Sequence, residues 1–393
     1  MLSIAIAGKP NAGKSTFFKA ATLADVQIAN YPFTTVDANK GVGYVRVKCP
    51  CIELEARCGR CVEGIRYIPV ELIDVAGLVP DAHKGRGLGN EFLDNLRQAQ
   101  AIIHVVDASG GTDIEGNPVG IGDHDPLDDV KFLEHEITMW IAGILKRNWD
   151  RLSKKASAEG VKIEDLILNQ LRGVGVDELE VKRALHNAKV DLDTPTQWSD
   201  DELVTVADWI RRESKPLLIV ANKMDIAPED NIKRLMELDY IVVPTSAEAE
   251  LALRMASKHE LISYLSGDSE FSIKVDGLKP AQKKGLLKIQ ALLKDFKSTG
   301  VQDAINRVVF ELLDNITVFP VEDENKFADS NGSVLPDAFL MKRGGTSHDL
   351  AYMVHTDIGN GFLYAVDARS KMRLSEKHEL EDGDIVKIVA VKR

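Results

Sequence analysis

The first part of the chain contains five short, mainly apolar runs, each followed within three residues by glycine or a polar residue. They cover residues 2–7, 67–74, 101–107, 216–221 and 240–244. Apolar runs of this length are typical of buried strands, and the stretches between several of them carry apolar residues at helical spacing. Strands that alternate with helices predict an α/β fold, in which a parallel sheet is covered by helices on both faces.

Two changes of pattern predict further units. Residues 130–212 repeat apolar positions at helical spacing between charges, which predicts a helical hairpin inserted into the sheet domain. That domain would then consist of residues 1–129 and 213–314. Residues 315–393 combine glycine turns and one helix near 346–354 with short strands, which predicts a small β-grasp domain. Its strands are expected at 316–319, 333–336, 339–341, 361–366 and 384–390.

Composition narrows the class of protein. The chain has 393 residues, 44% of them hydrophobic, and a formal net charge of -12. The length predicts more than one domain, and no apolar run approaches the length of a membrane span. Because the first strand begins at the N-terminus, we expect no signal peptide and a cytoplasmic protein without membrane partners. The acidic balance argues against broad adhesion to nucleic acid and against sequence-specific DNA binding, but leaves basic ribosomal proteins as candidate partners.

The segment after the first strand has the pattern G-x-x-x-x-G-K-S and leads into a helix. This is the phosphate-binding loop of nucleoside-triphosphate enzymes, whose glycines let several backbone N–H groups point at the phosphates. We expect Lys14 to reach the β- and γ-phosphates and the Ser15 hydroxyl to ligate Mg²⁺. The predicted phosphate contacts here are Gly8, Lys9, Pro10, Asn11, Ala12, Gly13, Lys14, Ser15 and Thr16.

Two further segments predict a γ-phosphate sensor. Thr35 lies in a proline-broken loop after the first helix, where a threonine can ligate Mg²⁺ and contact the γ-phosphate. Asp74 ends the second apolar run, and its carboxylate would bind the Mg²⁺ shell. Gly77 follows, and its N–H can approach the γ-phosphate because no side chain intervenes. The predicted magnesium residues are therefore Ser15, Thr35 and Asp74.

The residue after Gly77 is Leu78, where many GTPases have a water-orienting glutamine. Leucine cannot form hydrogen bonds through its side chain, so the catalytic residue stays unknown from the sequence. One hypothesis is that the Asn11 carbonyl ligates a monovalent cation such as K⁺ beside the phosphates. Lys84 or Arg86 could supply positive charge to the transition state, although a solvated loop charge is the simpler interpretation.

The fourth apolar run leads into Asn222-Lys223-Met224-Asp225, the guanine-reading pattern N-K-x-D. The Asp225 carboxylate can accept two hydrogen bonds from guanine N–H groups, and adenine has no donors in that place. Lys223 would lay its stem along the base, and Asn222 would tie this loop to the phosphate loop. Ser246 and Ala247 follow the fifth run, and we expect the Ala247 N–H to donate to guanine O6.

All four cysteines lie in one short segment, spaced C-x-C and then C-x2-C: Cys49, Cys51, Cys58 and Cys61. A structural Zn²⁺ site, one or two disulfides, and four reduced thiols are each consistent with this spacing. In every case the cluster is interpreted as structural and not catalytic.

With these motifs assembled, the chain resembles the Obg-like GTPases of the YchF branch. The resemblance is carried by the Pro10-Asn11 phosphate loop, by residues 31–35, 74–78 and 84–90, and by the C-terminal module, which is similar to a TGS domain. It implies a cytoplasmic, P-loop GTPase switch that acts on ribosomes, ribosomal RNA or ribosome assembly, and that hydrolyses without a catalytic glutamine. Some relatives prefer ATP, but the intact N-K-x-D pattern favours GTP and GDP here.

Three other functions stay open. A nucleotide sensor with negligible hydrolysis is consistent with Leu78, and an ATP-preferring NTPase is consistent with the branch. A metabolic phosphotransferase would use the same phosphate loop, but it would explain neither N-K-x-D nor a binding module.

Overall fold

The computed structural model describes residues 1–23, 39–78, 80–81 and 95–391. These residues divide into two compact units. Unit 1 holds the described residues of 1–43 and 70–304, and unit 2 holds 44–69 and 305–391. Thr35, Lys84 and Arg86, which the sequence singled out, lie outside the described residues. Among the described residues, no helix combines the length and apolarity needed to cross a membrane.

Unit 1 is built on a mainly parallel sheet. Its strands include β1 (Ser3–Ala7), β4 (Ile65–Asp74), β5 (Ala101–Asp107), β6 (Leu217–Asn222) and β7 (Ile241–Thr245), and they lie in the order β4-β1-β5-β6-β7. Neighbouring strands in this series are parallel. β2 (Lys40–Lys48) pairs beside β4, and β3 (Cys61–Val62) is antiparallel to β4. β2 and β4 each have residues in both units.

Both faces of the sheet are covered. Ala5 and Ala7 on β1 belong to an apolar core shared with the helices of residues 126–214. Ile4 and Ile6 alternate with them, so they point to the opposite face, and they are also fully buried. The sequence expectation of a three-layer α/β domain with helices on both faces is therefore confirmed.

Residues 126–214 form more than the expected helical hairpin. They contain α2 (Pro126–Lys146), α3 (Trp149–Glu159), α4 (Ile163–Leu171), α5 (Glu178–Ala188) and α6 (Asp200–Ser214), after α1 (Lys14–Thr22). The hairpin prediction was wrong because helical spacing cannot show where one helix stops and the next begins. The caps show it: Asp125 and Ser199 accept backbone N–H bonds at the starts of α2 and α6.

The rest of unit 1 contains shorter elements. These are α7 (Glu229–Met236), α8 (Ala247–Lys258), β8 (Ile262–Ser263), β9 (Ser272–Ile273), α9 (Pro280–Phe296) and α10 (Val301–Arg307), whose last residues belong to unit 2. The buried side chain of Glu250 on α8 accepts hydrogen bonds from Tyr264 and Thr299 and pairs with Arg254. These bonds join the segment after α8 to the sheet domain.

Unit 2 contains a second sheet over a small apolar core. β10 (Asn315–Val321), β11 (Phe339–Lys342), β12 (Phe362–Asp367), β13 (Arg373–Leu374) and β14 (Ile385–Ala390) lie in the order β11-β10-β14-β12-β13. β10 and β14 are parallel, and the other pairs are antiparallel. α11 (Ser347–Val354) contributes Leu350 to the core, and α12 (Thr356–Asn360) follows it. The sheet is β-grasp-like, as expected.

Two expectations about this part differ from the structure. The strand expected at 333–336 is reduced to one isolated bridge between Ala328 and Val334. Residues 44–69 and 305–314, which the sequence pattern placed in the sheet domain, belong to unit 2. Long-range hydrogen bonds join the first of these segments to the C-terminal residues: Arg66 Nη2 donates to the carbonyls of Leu335 and Pro336, at 3.0 and 3.1 Å.

Candidate nucleotide-binding site

The predicted motifs meet at one edge of the unit 1 sheet. Ile6 is in register with Asp74, Asp107 with Asn222, and Asn222 with Thr245. Because these strands are parallel, the segments that follow them emerge on the same side. The phosphate loop, the residues after Asp74 and the base-reading segment therefore surround one region.

Two glycines let the phosphate loop pass close to its neighbours. Gly8 has φ +149°, and a Cβ there would lie 2.3 Å from the Val105 carbonyl oxygen. Gly13 has φ +97°, and a Cβ there would lie 2.2 Å from the Asn222 amide nitrogen. A side chain at either position would collide, so the loop requires glycine at both. α1 then begins at Lys14, with its N-terminus at the loop.

The Lys14 ammonium is held inside the loop. Its Nζ donates to the Lys9 carbonyl at 2.8 Å, and the residue is 7% exposed. Burial lowers the pKa of Lys14 to about 8, while the nearby Asp74 carboxylate acts in the opposite direction. A Cβ on Gly77 would lie 3.3 Å from Lys14 Nζ, so the Gly77 backbone is close to the predicted γ-phosphate position.

Ser15 and Asp74 form the described part of the predicted magnesium site. Burial raises the pKa of Asp74, while Lys14 and a hydrogen bond with the Ser15 hydroxyl lower it. A hydroxyl and a carboxylate in contact, at the start of a helix, are a donor set that suits Mg²⁺ in phosphate sites. P-loop GTPases as a family use this ion, and these two residues fit it.

Leu78 does not face the site. Its side chain is 2% exposed and belongs to the apolar core under the sheet, while its N–H donates to the Gly8 carbonyl at 3.1 Å. The residue after Gly77 therefore supports the loop through its backbone and packing.

The Lys9 side chain lies away from the phosphate position, a feature that sequence reasoning missed. Its Nζ pairs with Asp129 at 2.9 Å and donates to the Thr112 carbonyl at 2.7 Å, and the residue is 1% exposed. His124 bonds the other Asp129 oxygen at 2.7 Å. Only the Lys9 backbone is available to a phosphate in this arrangement.

The loop after β5 also contacts the phosphate loop through Asn11. The Asn11 amide nitrogen donates to the Gly116 carbonyl at 3.0 Å, and Asn11 has φ +59°. A Cβ on Gly116 would lie 2.6 Å from the Pro10 carbonyl oxygen, so this contact requires glycine. The glycine-rich composition of residues 110–122 was the sequence signal for such an approach.

Asn222 ties the base-reading segment to the phosphate loop, as the sequence analysis expected. Its amide nitrogen donates to the Ala12 carbonyl at 2.9 Å, and its amide oxygen accepts from the Ala247 N–H at 3.1 Å. The second bond was not foreseen. It gives the Ala247 N–H a protein partner here, which competes with the expected donation to guanine O6.

Lys223 and Asp225 have fixed positions. Lys223 Nζ pairs with Asp107 at 2.8 Å, and the Asp225 carboxylate accepts from the Ser246 hydroxyl at 2.8 Å. Asp107 is fully buried and also accepts from Ser109 and Thr112. Although burial acts to raise it, these donors keep the pKa of Asp107 below its ordinary value. Sequence reasoning missed Asp107, although an acid at a strand end with Ser two residues later is a recognisable turn signal.

The four cysteines converge in unit 2. Their sulfur atoms all lie within 4.8 Å of one another, and Cys49, Cys51 and Cys58 are buried. The sulfur atoms of Cys58 and Cys61 are 3.4 Å apart. A disulfide bond measures about 2.05 Å, so these cysteines are free thiols in this structure.

Comparisons with known proteins agree with this geometry. Family models match a 50S ribosome-binding GTPase domain at residues 3–127, the G4 motif-containing domain of YGR210-like Obg-like GTPases at 220–323, and a TGS domain at 332–390. The chain is 50% identical to an uncharacterized GTP-binding protein of Methanocaldococcus jannaschii, over 99% of both chains. It is 29% identical to the ribosome-binding ATPase YchF of Haemophilus ducreyi, over 92% of this chain and 86% of the relative. A solved GTP-binding protein from Pyrococcus horikoshii is similar at TM-score 0.79 and 45% identity, covering 99% of this chain and all of that one.

Proposed function

We propose that this protein, which belongs to the YchF branch of the Obg-like GTPases and carries a C-terminal TGS domain, is a slow GTP-hydrolysing switch that associates with ribosomes. The single observation that carries the choice of nucleotide is the described base-reading segment. Asn222, Lys223 and Asp225 are all present, and each is held by a neighbour. The Asp225 carboxylate is exposed in this structure, and a bound adenine would cover it without supplying a hydrogen-bond donor, whereas guanine supplies two.

The moving parts of the proposed switch are the residues that would sense the γ-phosphate. Thr35 and Gly77 would contact this phosphate, and both would lose that contact after hydrolysis. Ser15, Asp74 and Thr35 would hold Mg²⁺, which neutralises phosphate charge. The hydrogen bond between Ser15 and Asp74 and the position of Lys14 beside Gly77 support this assignment.

Activation of the attacking water needs a source other than Leu78, whose side chain is buried in the core. We assign this to a K⁺ ion ligated by the Asn11 amide oxygen. The amide nitrogen donates to Gly116, which leaves the oxygen as the end that could ligate a cation. Equal single-turnover rates in K⁺ and Na⁺ buffers would contradict this assignment.

Association with ribosomes is the proposed output, and it would place the protein in the cytoplasm. Support comes from the relatives named ribosome-binding ATPases and from the TGS domain. A second candidate function is a nucleotide sensor with negligible hydrolysis, which the burial of Leu78 favours. Single-turnover GTP hydrolysis with and without ribosomes separates the two, with Lys14→Ala as the inactive reference.

The test of nucleotide identity is Asp225→Asn. The change removes two charge-assisted hydrogen bonds, each worth about 1.5–3 kcal/mol, so GTP affinity should fall about 10²–10⁴-fold. Xanthosine triphosphate has a carbonyl where guanine has its amino group, so it should bind this variant better than GTP does. Asp230→Asn, at an exposed carboxylate on α7, is the matched control. Equal calorimetric affinities of the unaltered protein for ATP and GTP would overturn the proposal.

A further inference from the structure

The cysteine segment forms the tip of a hairpin in unit 2. Cys49 follows β2, Cys51 lies in the short turn Pro50–Ile52, Cys58 lies in the next loop, and Cys61 begins β3. Two backbone bonds fold the tip back on itself, from Cys49 N to the Gly64 carbonyl and from Ala56 N to the Cys51 carbonyl. The two pairs of cysteines therefore approach each other from opposite arms.

The sulfur positions suit one tetrahedral ion. The sulfur atoms of Cys49 and Cys58 are 3.7 Å apart, those of Cys51 and Cys61 are 3.5 Å apart, and Cys58 and Cys61 are separated by 3.4 Å. Four sulfurs at about 2.3 Å from a zinc ion lie about 3.8 Å from each other. The convergence of all four sulfurs within 4.8 Å, and not any single distance, supports a site for one ion.

The surroundings of the sulfurs support a metal better than free thiols. The Arg60 N–H donates to the Cys58 sulfur at 3.4 Å, the kind of contact that stabilises a thiolate bound to a metal. Tight turns at Gly59 and Gly64, both with positive φ, bring the chain around the cluster. Residues 49–64 contain few large apolar side chains, and one of them, Ile52, is 58% exposed. A packed apolar core therefore contributes little to the shape of this tip.

We propose that Cys49, Cys51, Cys58 and Cys61 bind one zinc ion as a closed structural site that fixes the hairpin tip within unit 2. Four thiolate ligands leave no open coordination position, so the ion has no catalytic part. Binding replaces the thiol protons, which are released to solvent. The site is separate from nucleotide binding, because the described residues of that site lie in unit 1.

The two strands next to the hairpin tip form hydrogen bonds with later residues of unit 2. Arg66 donates to the carbonyls of Leu335 and Pro336. The backbone N–H and carbonyl of Arg46 both bond the Asn306 amide, at 2.9 Å each. Arg66 and Arg46 lie on the two strands that lead to the tip. Loss of zinc should therefore destabilise unit 2 and leave the GDP affinity of unit 1 unchanged.

The experiment uses the full-length protein, purified without chelator. Elemental analysis should give one zinc per chain, and replacement by Co²⁺ should give the intense absorption of tetrahedral cobalt thiolate. Cys58→Ser combined with Cys61→Ser should retain less than about a tenth of the zinc, since two ligands are lost. Glu63→Gln, an acid in the same tip, is the matched control and should keep the full complement.

Two readouts separate a metal site from a merely packed one. Zinc removal should speed proteolysis of residues 44–69 and 305–391. Zinc added back before the protease should restore the slow rate of cleavage, and fluorescent GDP should bind with the same affinity in every case. Four titratable thiols with no metal, in protein supplied with zinc, would overturn the proposal. So would one iron per chain, or a thiol count that rises only after reduction, which would indicate disulfides.

Discussion

The ion pair between Asp107 and Lys223 links the end of β5 to the base-reading segment, and Asp107→Asn tests it. The Asp107 carboxylate is fully buried. One oxygen accepts from Ser109 N and Oγ at 3.1 and 2.6 Å, and the other from Thr112 Oγ1 and Lys223 Nζ at 2.7 and 2.8 Å. Asparagine has nearly the same shape but no charge, so the ion pair with Lys223 is lost. If its amide nitrogen replaces the oxygen beside Lys223, two hydrogen-bond donors face each other.

The expected magnitude follows from these contacts. A hydrogen bond to a charged group contributes about 1.5–3 kcal/mol. The Lys223 side chain is 28% exposed, so water partly replaces its lost partner, and Thr112 can rotate its hydroxyl to accept from the new amide. We therefore expect the free energy of unfolding of unit 1 to fall by about 2–3 kcal/mol. Because the Lys223 stem loses its anchor, GTP affinity should fall about tenfold, which corresponds to about 1.4 kcal/mol.

All four tryptophans lie between residues 140 and 209, so their fluorescence during urea unfolding reports on unit 1. Asp128→Asn is the matched control, because Asp128 is 56% exposed and pairs with an exposed Lys131. An exposed pair of this kind contributes about 0–1 kcal/mol. The reasoning is refuted if Asp107→Asn changes the free energy of unfolding no more than Asp128→Asn does.

Two further predictions concern buried positions. Leu78→Gln should destabilise unit 1 by about 2–4 kcal/mol because it buries an amide in the apolar core, and it should not accelerate single-turnover hydrolysis. The control Leu78→Met should lower the free energy of unfolding by less than about 1.5 kcal/mol. A Leu78→Gln variant that hydrolyses faster and keeps normal stability would contradict the placement of Leu78 in the core. His104 is 1% exposed, and burial together with Lys14 and Lys9 lowers its pKa to about 3. The unfolded chain then takes up this proton first as pH falls below about 6.5, so stability is lost on acidification. Urea unfolding at pH 7.5 and 4.5 measures how far the free energy of unfolding falls on acidification. This decrease should be about 3 kcal/mol smaller in His104→Gln than in the unaltered protein, and equal decreases would exclude this account.

The motifs around the nucleotide site were predictable because each depends on local chemistry. A glycine with positive φ, a lysine at the start of a helix and a carboxylate at a strand end are defined by neighbours in the chain. Parallel pairing then places the strand ends together, so the amino-acid sequence alone was enough to match Asn222 with the phosphate loop. The bond from Asn222 to the Ala12 carbonyl has this origin.

Other features depended on partners far apart in sequence. Lys9 belongs to the phosphate-loop motif, yet its side chain pairs with Asp129, more than a hundred residues away. The Ala247 N–H was assigned to guanine, but it donates to Asn222. In both cases the motif gave the position of the residue and packing gave its partner.

By itself, the amino-acid sequence determined the succession of strands and motifs along the chain, the family resemblance and the β-grasp character of the C-terminal residues. These follow from periodicity and from residues adjacent in the chain. Only the tertiary structure decided that Leu78 lies in the core, that Asp107 holds Lys223, and that four cysteines from two arms of a hairpin converge on one point. The physical reason is that burial and hydrogen-bond partners are set by which distant segments pack together, and local sequence patterns carry little of that information.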